Sequence, residues 1–175
     1  MKVIAFAASS SSTSINKQLV TYAASLLEGA DVEVLDLNDY ELPLFSQDKE
    51  QELGQPELAK AFLAKIQSAT AVVVSFAEHN GSYSAAYKNL FDWCSRIQPK
   101  VYQDKKMVLL ATSPGARGGQ GVLAAASSAM PFFGADVKAS VSVPSFFDNF
   151  NSEEQKVSNP EINQQIITAV SALYS

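Results

Sequence analysis

The sequence predicts a doubly wound α/β fold, in which a parallel β-sheet is covered by helices on both faces. Short apolar segments alternate along the chain with longer segments of helical periodicity, which is the pattern that βαβ units produce. Several of the short segments are almost continuously apolar, as strands buried on both faces are. The chain has 175 residues, 47 % of them hydrophobic and 18 % charged, enough for one well-buried core and few for two. We therefore expect residues 1–175 to form a single domain.

The short apolar segments are the predicted strands. Lys2–Ala8 and Ala71–Phe76 are nearly continuous hydrophobic runs, so both of their faces should be covered. Asp31–Leu37 alternates polar and apolar residues, which suits a half-exposed edge strand. Lys106–Thr112 and Val137–Val143 complete the set of five strands.

Each predicted strand is followed by a segment with an apolar helical stripe. The residues that define the five helices are, in chain order, Ile15, Leu19, Tyr22, Ala23, Leu26 and Leu27; Leu58, Phe62, Leu63 and Ile66; Tyr87, Leu90, Phe91, Cys94 and Ile97; Gly119–Phe133; and Ile162–Tyr174. Gly29 suits the end of the first helix and Pro56 the start of the second. Residues 144–160 are polar and aromatic, so we expect a surface connection there.

The number of units indicates the strand order. Five strand–helix units in a chain of this length favour the flavodoxin-like order 2-1-3-4-5 over a six-stranded dinucleotide-binding fold. In that order, ligands bind beyond the carboxyl ends of strands 1 and 3, where the chain reverses direction. The loops that follow the first, third and fourth strands should therefore meet at one edge of the sheet.

Composition excludes several partners and indicates a compartment. A net charge of −5, with no basic patch to offset it, argues against a nucleic acid or a membrane surface as partner. Cys94 is the only cysteine, so no disulfide can form within the chain and a reducing compartment is expected. The apolar run after Met1 is too short for a signal peptide, and no segment is long enough to span a membrane. We expect a cytoplasmic protein with a small-molecule partner.

The loop after the first strand has the chemistry of a phosphate site. It reads Ser9-Ser10-Ser11-Ser12-Thr13-Ser14-Ile15-Asn16 and leads into a helix. Hydroxyl groups and free N–H groups at a helix N-terminus bind anions. The alternative is a flexible serine-rich loop in which Ser14 or Asn16 is a plain N-cap, and the loop alone does not decide between the two.

The other two loops exclude several reaction classes. The loop after the third strand contains His79, the only histidine, and one histidine with one cysteine does not make a zinc site. No G-x-S-x-G elbow supports a serine hydrolase. The loop after the fourth strand, residues 113–119, lacks the spacing of a nucleotide triphosphate loop. Its glycines would let the backbone approach a planar ring closely, and its Arg117 fits either a phosphate contact or a solvated position.

Four segments carry motifs in a fixed order along the chain. They are Ala8-Ser9-x-Ser11-x-x-Ser14-x-Asn16; LPLFSQD at 42–48; AEHNGS at 77–82 followed by YKNLFDW at 87–93; and SPGARGG at 113–119. These segments resemble G-S-x-R-x-x-S-x-N, L-P-L-(F/Y)-x-x-D, P-E-Y-N-G-S with L-K-N-x-x-D-W, and S-P-G-x-x-G-G of the NADPH-dependent FMN reductase family, which includes azo-, quinone- and chromate-reducing flavoproteins. Four motifs in order are far more specific than any one of them.

The resemblance implies a flavodoxin-like fold that binds FMN non-covalently. The flavin would carry hydride from NADPH or NADH to a second acceptor, which could be a flavin, a quinone, an azo compound or a metal ion, with no catalytic side chain. The implied FMN-binding residues are, for the phosphate, Ser9, Ser11, Ser14, Ile15 and Asn16; for one side of the ring, Ala77, Glu78, His79, Asn80 and Gly81; and for its other side, Ser113, Pro114, Gly115 and Gly118. Family members are typically dimers or tetramers, so the resemblance also implies a homodimer or homotetramer. The helix with Tyr87, Phe91 and Trp93 is either an interface or ordinary core.

Three positions differ from the family motifs and keep other functions open. Ser11 replaces the arginine of the first motif, while Ala77 and His79 replace proline and tyrosine of the third. Two alternatives to the reductase remain: a flavodoxin-like electron carrier that reacts poorly with NAD(P)H, and a member that binds no flavin and acts as an interaction module.

Overall fold

The computed structural model describes all 175 residues and contains nine strands and seven α-helices. The strands are β1 (Lys2–Ala8), β2 (Asp31–Leu35), β3 (Ala71–Phe76), β4 (Glu78–His79), β5 (Ser82–Tyr83), β6 (Lys105–Thr112), β7 (Ala135–Val143), β8 (Phe150–Asn151) and β9 (Lys156–Val157). The helices are α1 (Ile15–Ser25), α2 (Gln47–Leu53), α3 (Glu57–Ser68), α4 (Ala85–Ile97), α5 (Gln120–Ala129), α6 (Phe146–Asn149) and α7 (Pro160–Ser171).

Five of the strands form one parallel sheet in the order β2-β1-β3-β6-β7. This is the predicted order 2-1-3-4-5 when the short hairpin strands are left out of the count, so the flavodoxin-like doubly wound class is confirmed. The bounds of β1 and β3 agree with the prediction residue by residue. Both strands are buried almost throughout, because a strand in the middle of a parallel sheet has helices on both faces.

The two faces of the sheet carry separate cores. One core packs α3, α4 and α5 onto the sheet and is rich in aromatic side chains, among them Phe6, Phe62, Phe76 and Tyr102. The other core packs α1 and α7 onto the opposite face and consists mainly of aliphatic residues. The sheet is therefore covered on both sides, as the doubly wound class requires.

The aromatic stripe of α4 belongs to the first core. Tyr87, Phe91 and Trp93 are buried within the chain, with exposures of 2 %, 8 % and 1 %. Trp93 also donates its indole N–H to the carbonyl of Pro43 at 2.8 Å. These three side chains therefore belong to the core of the chain, which is the second of the two interpretations of the stripe.

Other expectations about single elements were wrong. Strand β2 ends at Leu35 instead of Leu37, because the Asp36 side chain accepts from the N–H of Asn38 at 2.9 Å and begins a 3₁₀ turn. Leu58 is 40 % exposed, and its neighbour Ala59 takes the buried position on α3.

The connection at residues 144–160 is more than a surface loop. It contains α6 and the hairpin β8–β9, and Phe146, Phe150 and Val157 are buried in the aliphatic core. The rings of Phe146 and Phe150 stack with centroids 4.7 Å apart. The expected surface connection was wrong in this respect because Phe146 and Phe150 fold back into the core that α1 and α7 cover. None of the helices is long and apolar enough to cross a lipid bilayer.

Candidate functional site

The loops after β1, β3 and β6 meet at the carboxyl edge of the sheet, as the strand order predicts. They enclose a cleft of about 280 Å³. Its walls are formed by Ser9, Ser11, Thr13, Ser14, Ile15, Asn16, Ala77, Glu78, His79, Thr112, Ser113 and Pro114. Ten of the fourteen residues that the sequence motifs single out line this cleft. The other four, Asn80, Gly81, Gly115 and Gly118, lie in the same loops but outside the cleft wall.

The loop after β1 is held by its own hydroxyl groups. Ser14 is the N-cap of α1, and its side chain accepts from the N–H of Lys17 at 3.1 Å. The Oγ atom of Ser9 accepts from the N–H of Ser11 at 3.2 Å. Among the backbone N–H groups that donate to no protein acceptor are those of residues 12, 13, 15 and 16. At the positive end of a helix dipole, such groups are available to an anion.

Asn16 connects this loop to the ends of two neighbouring strands. Its side-chain Oδ1 accepts from the hydroxyl of Ser75 at 2.8 Å and from the N–H of Thr112 at 3.1 Å. Its Nδ2 donates to the carbonyl of Thr112 at 3.2 Å. The side chain is 3 % exposed, so these bonds fix the start of α1 between β3 and β6. Only the backbone N–H of Asn16 is therefore free to meet a ligand.

The loop after β3 is a tight hairpin. Strands β4 and β5 pair antiparallel through Glu78 with Tyr83 and His79 with Ser82. Asn80 and Gly81 form the turn, with φ values of 53° and 78°, as a type I′ turn requires. His79 and Asn80 are exposed at its tip, which leaves both side chains available to a ligand on this side of the cleft.

Glu78 links the hairpin to the helix that follows β6. Its Oε2 accepts from the N–H of Val122 at 2.9 Å, in the first turn of α5. The N-cap of that helix is Gly119, which provides no side-chain cap. The carboxylate of Glu78 therefore satisfies a free N–H and the helix dipole from outside the helix.

The loop after β6 is fixed by contacts with the end of β7. The carbonyls of Ser113 and Gly115 accept from the N–H groups of Phe146 and Ser145 at 3.0 and 2.9 Å. The carbonyl of Gly118 accepts from the hydroxyl of Ser142 at 2.9 Å. A Cβ atom on Gly118 would lie 2.5 Å from that hydroxyl oxygen and 2.8 Å from the backbone of Pro144. Gly118 is thus needed for packing against the protein, whereas nothing lies within 4 Å of a Cβ on Gly115.

The cleft contains hydroxyl groups and no cation. Six of its twelve lining residues are serine or threonine, and none is lysine or arginine. Lys17 lies nearby in the first turn of α1 but is paired with Asp36. The hydrogen bond from Lys17, helped by those from Asn38, lowers the pKa of the Asp36 carboxyl, so this carboxylate stays charged at neutral pH.

These donors fit the phosphate of FMN. The hydroxyl groups and free N–H groups can each donate to a phosphate oxygen, at about 1.5–3 kcal/mol per bond to a charged acceptor. Glu78 is the one carboxylate in the wall, and it is already engaged by Val122. The residues present therefore fit the cofactor that the sequence motifs imply.

The buried thiol and phenol groups of the aromatic core are not available as acids, bases or nucleophiles. Cys94 is fully buried in α4, and burial raises the pKa of its thiol to about 12. Tyr87 and Tyr102 share a hydrogen bond of 2.6 Å between their hydroxyls, and desolvation raises the pKa of both above the ordinary value. These groups stay protonated and serve the core.

The contacts of Ser75 and Thr112 with Asn16, and the pairing of β4 with β5, were not predicted from the sequence. Ser75 and Thr112 sit inside apolar strands, and nothing local to them signals that they bind Asn16. Thr112 in addition donates its hydroxyl to the carbonyl of Val143 at 2.7 Å. The hairpin had a usable signal, because Asn80-Gly81 is the dipeptide that a type I′ turn favours.

Comparison with known proteins gives the same family as the motifs. A sequence model of the NADPH-dependent FMN reductase family matches residues 1–148. An NADPH:quinone oxidoreductase of Arabidopsis thaliana is 33 % identical over 124 residues, covering 69 % of this chain and 62 % of that protein. A 2-hydroxy-1,4-benzoquinone reductase of a Burkholderia species is 36 % identical over 107 residues, covering 60 % of this chain and 56 % of that protein. The matches thus span less than two thirds of the length of either relative.

The fold is shared with a solved flavoenzyme. The NAD(P)H:(acceptor) oxidoreductase FerB from Paracoccus denitrificans superposes with a TM-score of 0.77 at 22 % identity. The superposition covers 98 % of this chain and 94 % of FerB. At that identity the similarity establishes the fold.

Proposed function

The chain belongs to the NADPH-dependent FMN reductase family, and we propose that it is an FMN-dependent NAD(P)H oxidoreductase that reduces a small-molecule acceptor. The single observation that carries the proposal is the cleft at the carboxyl edge. Ten residues of the family motifs, far apart in the sequence, line that one cleft, and its donors are of the kind that hold a phosphate without a cation.

The residues of the three loops divide the binding of FMN among them. The N-terminus of α1 and the hydroxyls of Ser9, Ser11 and Ser14 hold the phosphate. The hairpin on one side, and Ser113 with Pro114 on the other, border the ring. Asn16 holds the loops after β1 and β6 at a fixed distance from each other. Bound FMN would supply the hydride chemistry that links a reduced nicotinamide to the acceptor.

The protein's part in the reaction is to bind and orient. His79 lines the cleft and borders the ring as a flat side chain, while Cys94 is buried with a pKa of about 12 and takes no part in moving a proton there. Flavin-mediated hydride transfer between two substrates needs no such group from the protein. If the nicotinamide and the acceptor use the same face of the ring in turn, the kinetics are ping-pong. A strictly sequential mechanism would argue against this use of one face.

The acceptor that the relatives favour is a quinone. The Arabidopsis and Burkholderia proteins are both named as quinone reductases, and we extend that substrate class to this chain as a proposal. Flavins, azo compounds and metal ions are the other acceptors to be compared. A homodimer or homotetramer and a cytoplasmic location complete the proposal, and sedimentation of the purified protein tests the first of these.

The decisive experiment follows the spectrum of bound flavin. Purified protein is mixed with FMN, and its absorbance is recorded before and after anaerobic addition of NADPH or NADH, then after a benzoquinone. We expect FMN to bind, its oxidised bands to bleach with a nucleotide, and the bands to return with the quinone. Riboflavin, which lacks the phosphate, is the matched control and should bind more weakly.

Each other outcome supports a different function. Flavin that binds but stays oxidised with both nucleotides would replace the reductase by a flavodoxin-like electron carrier. Protein that binds no flavin at all would show that the changes at Ser11, Ala77 and His79 have removed the cofactor. The chain would then be an interaction module on a reductase fold.

A further inference from the structure

Most of the positive charges of this protein are paired. Nine of its thirteen lysine and arginine side chains form ion pairs with a carboxylate. The four that do not are Lys2, Lys105, Lys106 and Arg117. An unpaired cation in an acidic protein is free to bind an anion from outside, so the positions of these four matter.

Three of the four lie at the wrong end of the sheet for the cleft. Lys2 begins β1, while Lys105 and Lys106 begin β6, at the edge opposite the carboxyl ends of the strands. Lys105 donates to the carbonyl of Gln67 at 3.1 Å, and Lys106 donates to the last residue of the chain. Arg117 is the one unpaired cation in the loops around the cleft.

The backbone of Arg117 is fixed although its side chain is exposed. The N–H of Gly118 donates to the carbonyl of Gly115 at 3.2 Å, and that of Gln120 donates to the carbonyl of Arg117 at 3.0 Å. Two consecutive turns therefore hold this residue, and the contact of Gly118 with Ser142 and Pro144 holds the turns to β7. An arginine on a fixed backbone loses less freedom when it binds a ligand.

The electron donor of the proposed reaction carries anionic groups that Arg117 could bind. NADH carries a pyrophosphate, and NADPH carries a further phosphate on its adenosine ribose. The flavin phosphate already has its place at the N-terminus of α1, so it does not require this residue. Arg117 is three residues from Pro114, which lines the cleft, and a planar guanidinium binds phosphate oxygens in a bidentate manner.

We propose that Arg117 binds a phosphate group of the electron-donor nucleotide. This inference rests on the proposed function, because it takes the donor to be NADPH or NADH. The nucleotide carries two or more negative charges toward a protein of net charge −5, and Arg117 is the local charge that offsets the repulsion.

The test measures binding without turnover. FMN-loaded protein is titrated calorimetrically with NADP⁺ and with NAD⁺, which bind without reducing the flavin. Arg117→Gln is compared with the wild type and with Arg117→Lys. Lys2→Gln is the matched control, since it removes an unpaired charge from the opposite edge. We expect R117Q to weaken nucleotide binding roughly ten- to hundredfold, R117K to restore part of the loss, and K2Q to change little.

The two nucleotides identify which phosphate is bound. A loss for NADP⁺ alone assigns Arg117 to the ribose 2′-phosphate, and an equal loss for both assigns it to the pyrophosphate; either result supports the proposal. Unchanged affinity for both nucleotides in R117Q, or an equal loss in K2Q, would overturn it. A loss of FMN affinity in R117Q, measured by flavin fluorescence, would also overturn it, since the contact would then be with the cofactor.

Failure of this inference and failure of the proposed function give different results. The proposed function fails in the wild type, when FMN does not bind or is not bleached by NADPH or NADH. The role of Arg117 fails only in the comparison of variants, when the wild type binds both cofactor and nucleotide normally.

Discussion

Two glycines on opposite sides of the cleft have similar backbone angles for different reasons. Gly81, in the hairpin after β3, has a φ of 78° and nothing within 4 Å of where its Cβ would be. Gly118, in the loop after β6, has a φ of 56°, and its Cβ would clash with Ser142 and Pro144. Gly81 is needed by its own turn, whereas Gly118 is needed by the neighbouring strand. The comparison separates a loop shaped by local sequence from one shaped by distant contacts.

The same difference extends to the hydrogen bonds of the two loops. The hairpin holds itself together by the pairing of β4 with β5 and makes one outside side-chain bond, from Glu78 to α5. The loop after β6 is fixed at Thr112 by Asn16, at Gly115 by Ser145 and at Gly118 by Ser142. Changes in the loop after β6 should therefore cost more than matched changes in the hairpin.

The largest effect is expected from Asn16→Ala, which removes the distant anchor of the loop after β6. The change leaves the hydroxyl of Ser75 and both backbone groups of Thr112 without their partner in a buried place. We expect a loss of about 4 kcal/mol in the free energy of unfolding, measured by urea denaturation, together with weaker FMN binding. Ser12→Ala, at an exposed position in the same loop, is the control and should change stability little. A loss below about 1 kcal/mol in N16A would show that water replaces the side chain.

The next effect is expected from Gly118→Ala, which tests packing and backbone together. The added methyl group would clash with the backbone of Pro144, which cannot move away by rotating a side chain. In addition, alanine is strained at the positive φ of this position. We expect a loss of about 3 kcal/mol in the free energy of unfolding. Gly115→Ala in the same loop is the matched control; its Cβ meets open space, so its stability should match the wild type to within about 0.5 kcal/mol. Equal losses in the two variants would contradict the packing role of Gly118.

A smaller effect is expected from Gly81→Ala, where the turn alone is at stake. With open space around the Cβ, the cost is that of a left-handed backbone, about 1 kcal/mol. Asn80→Gly is the control, since glycine adopts the φ of 53° at that position without strain. If G81A lowered the free energy of unfolding as much as G118A in the same urea titration, the difference between the two loops would be contradicted.

The smallest effect is expected from Glu78→Gln, the one outside bond of the hairpin. The amide oxygen can still accept from Val122, so only the attraction between the negative charge and the α5 dipole is lost. We expect about 0.5 kcal/mol, which should shrink further when the titration is repeated at high salt. A loss above about 2 kcal/mol would mean that the hairpin depends on α5 for its position as strongly as the other loop depends on β7.

The sequence predicted the sheet well and its polar contacts poorly. Lys2–Ala8 and Ala71–Phe76 were placed residue by residue because both are continuous apolar runs, which in this fold only a central strand explains. The end of β2 was misplaced because Asp36 begins a turn through its own side chain, which an alternating pattern does not reveal. Residues 144–160 were misjudged because their buried aromatics are spaced for a short helix and hairpin, too few for a periodic signal.

The motif residues illustrate the same limit within the site. Asn16 was singled out as a phosphate ligand, but its side chain is occupied by Ser75 and Thr112. Gly118 was expected to allow close approach of a ring, and the structure shows it in close approach to β7. Both residues lie in their expected loops. Their hydrogen-bond and packing partners lie too far away in the sequence for a local pattern to reveal them.

The sequence by itself determined the fold class, the strand order and the meeting of three loops at one edge, because hydrophobic periodicity is local and the order of parallel strands fixes where their ends lie. Only the tertiary structure decided which polar groups bind each other there. Asn16 and Thr112 are 96 residues apart, Glu78 and Val122 are 44 apart, and Gly118 and Ser142 are 24 apart. Hydrogen bonds need partners within about 3 Å, and chain positions that distant acquire such partners only once the sheet is assembled.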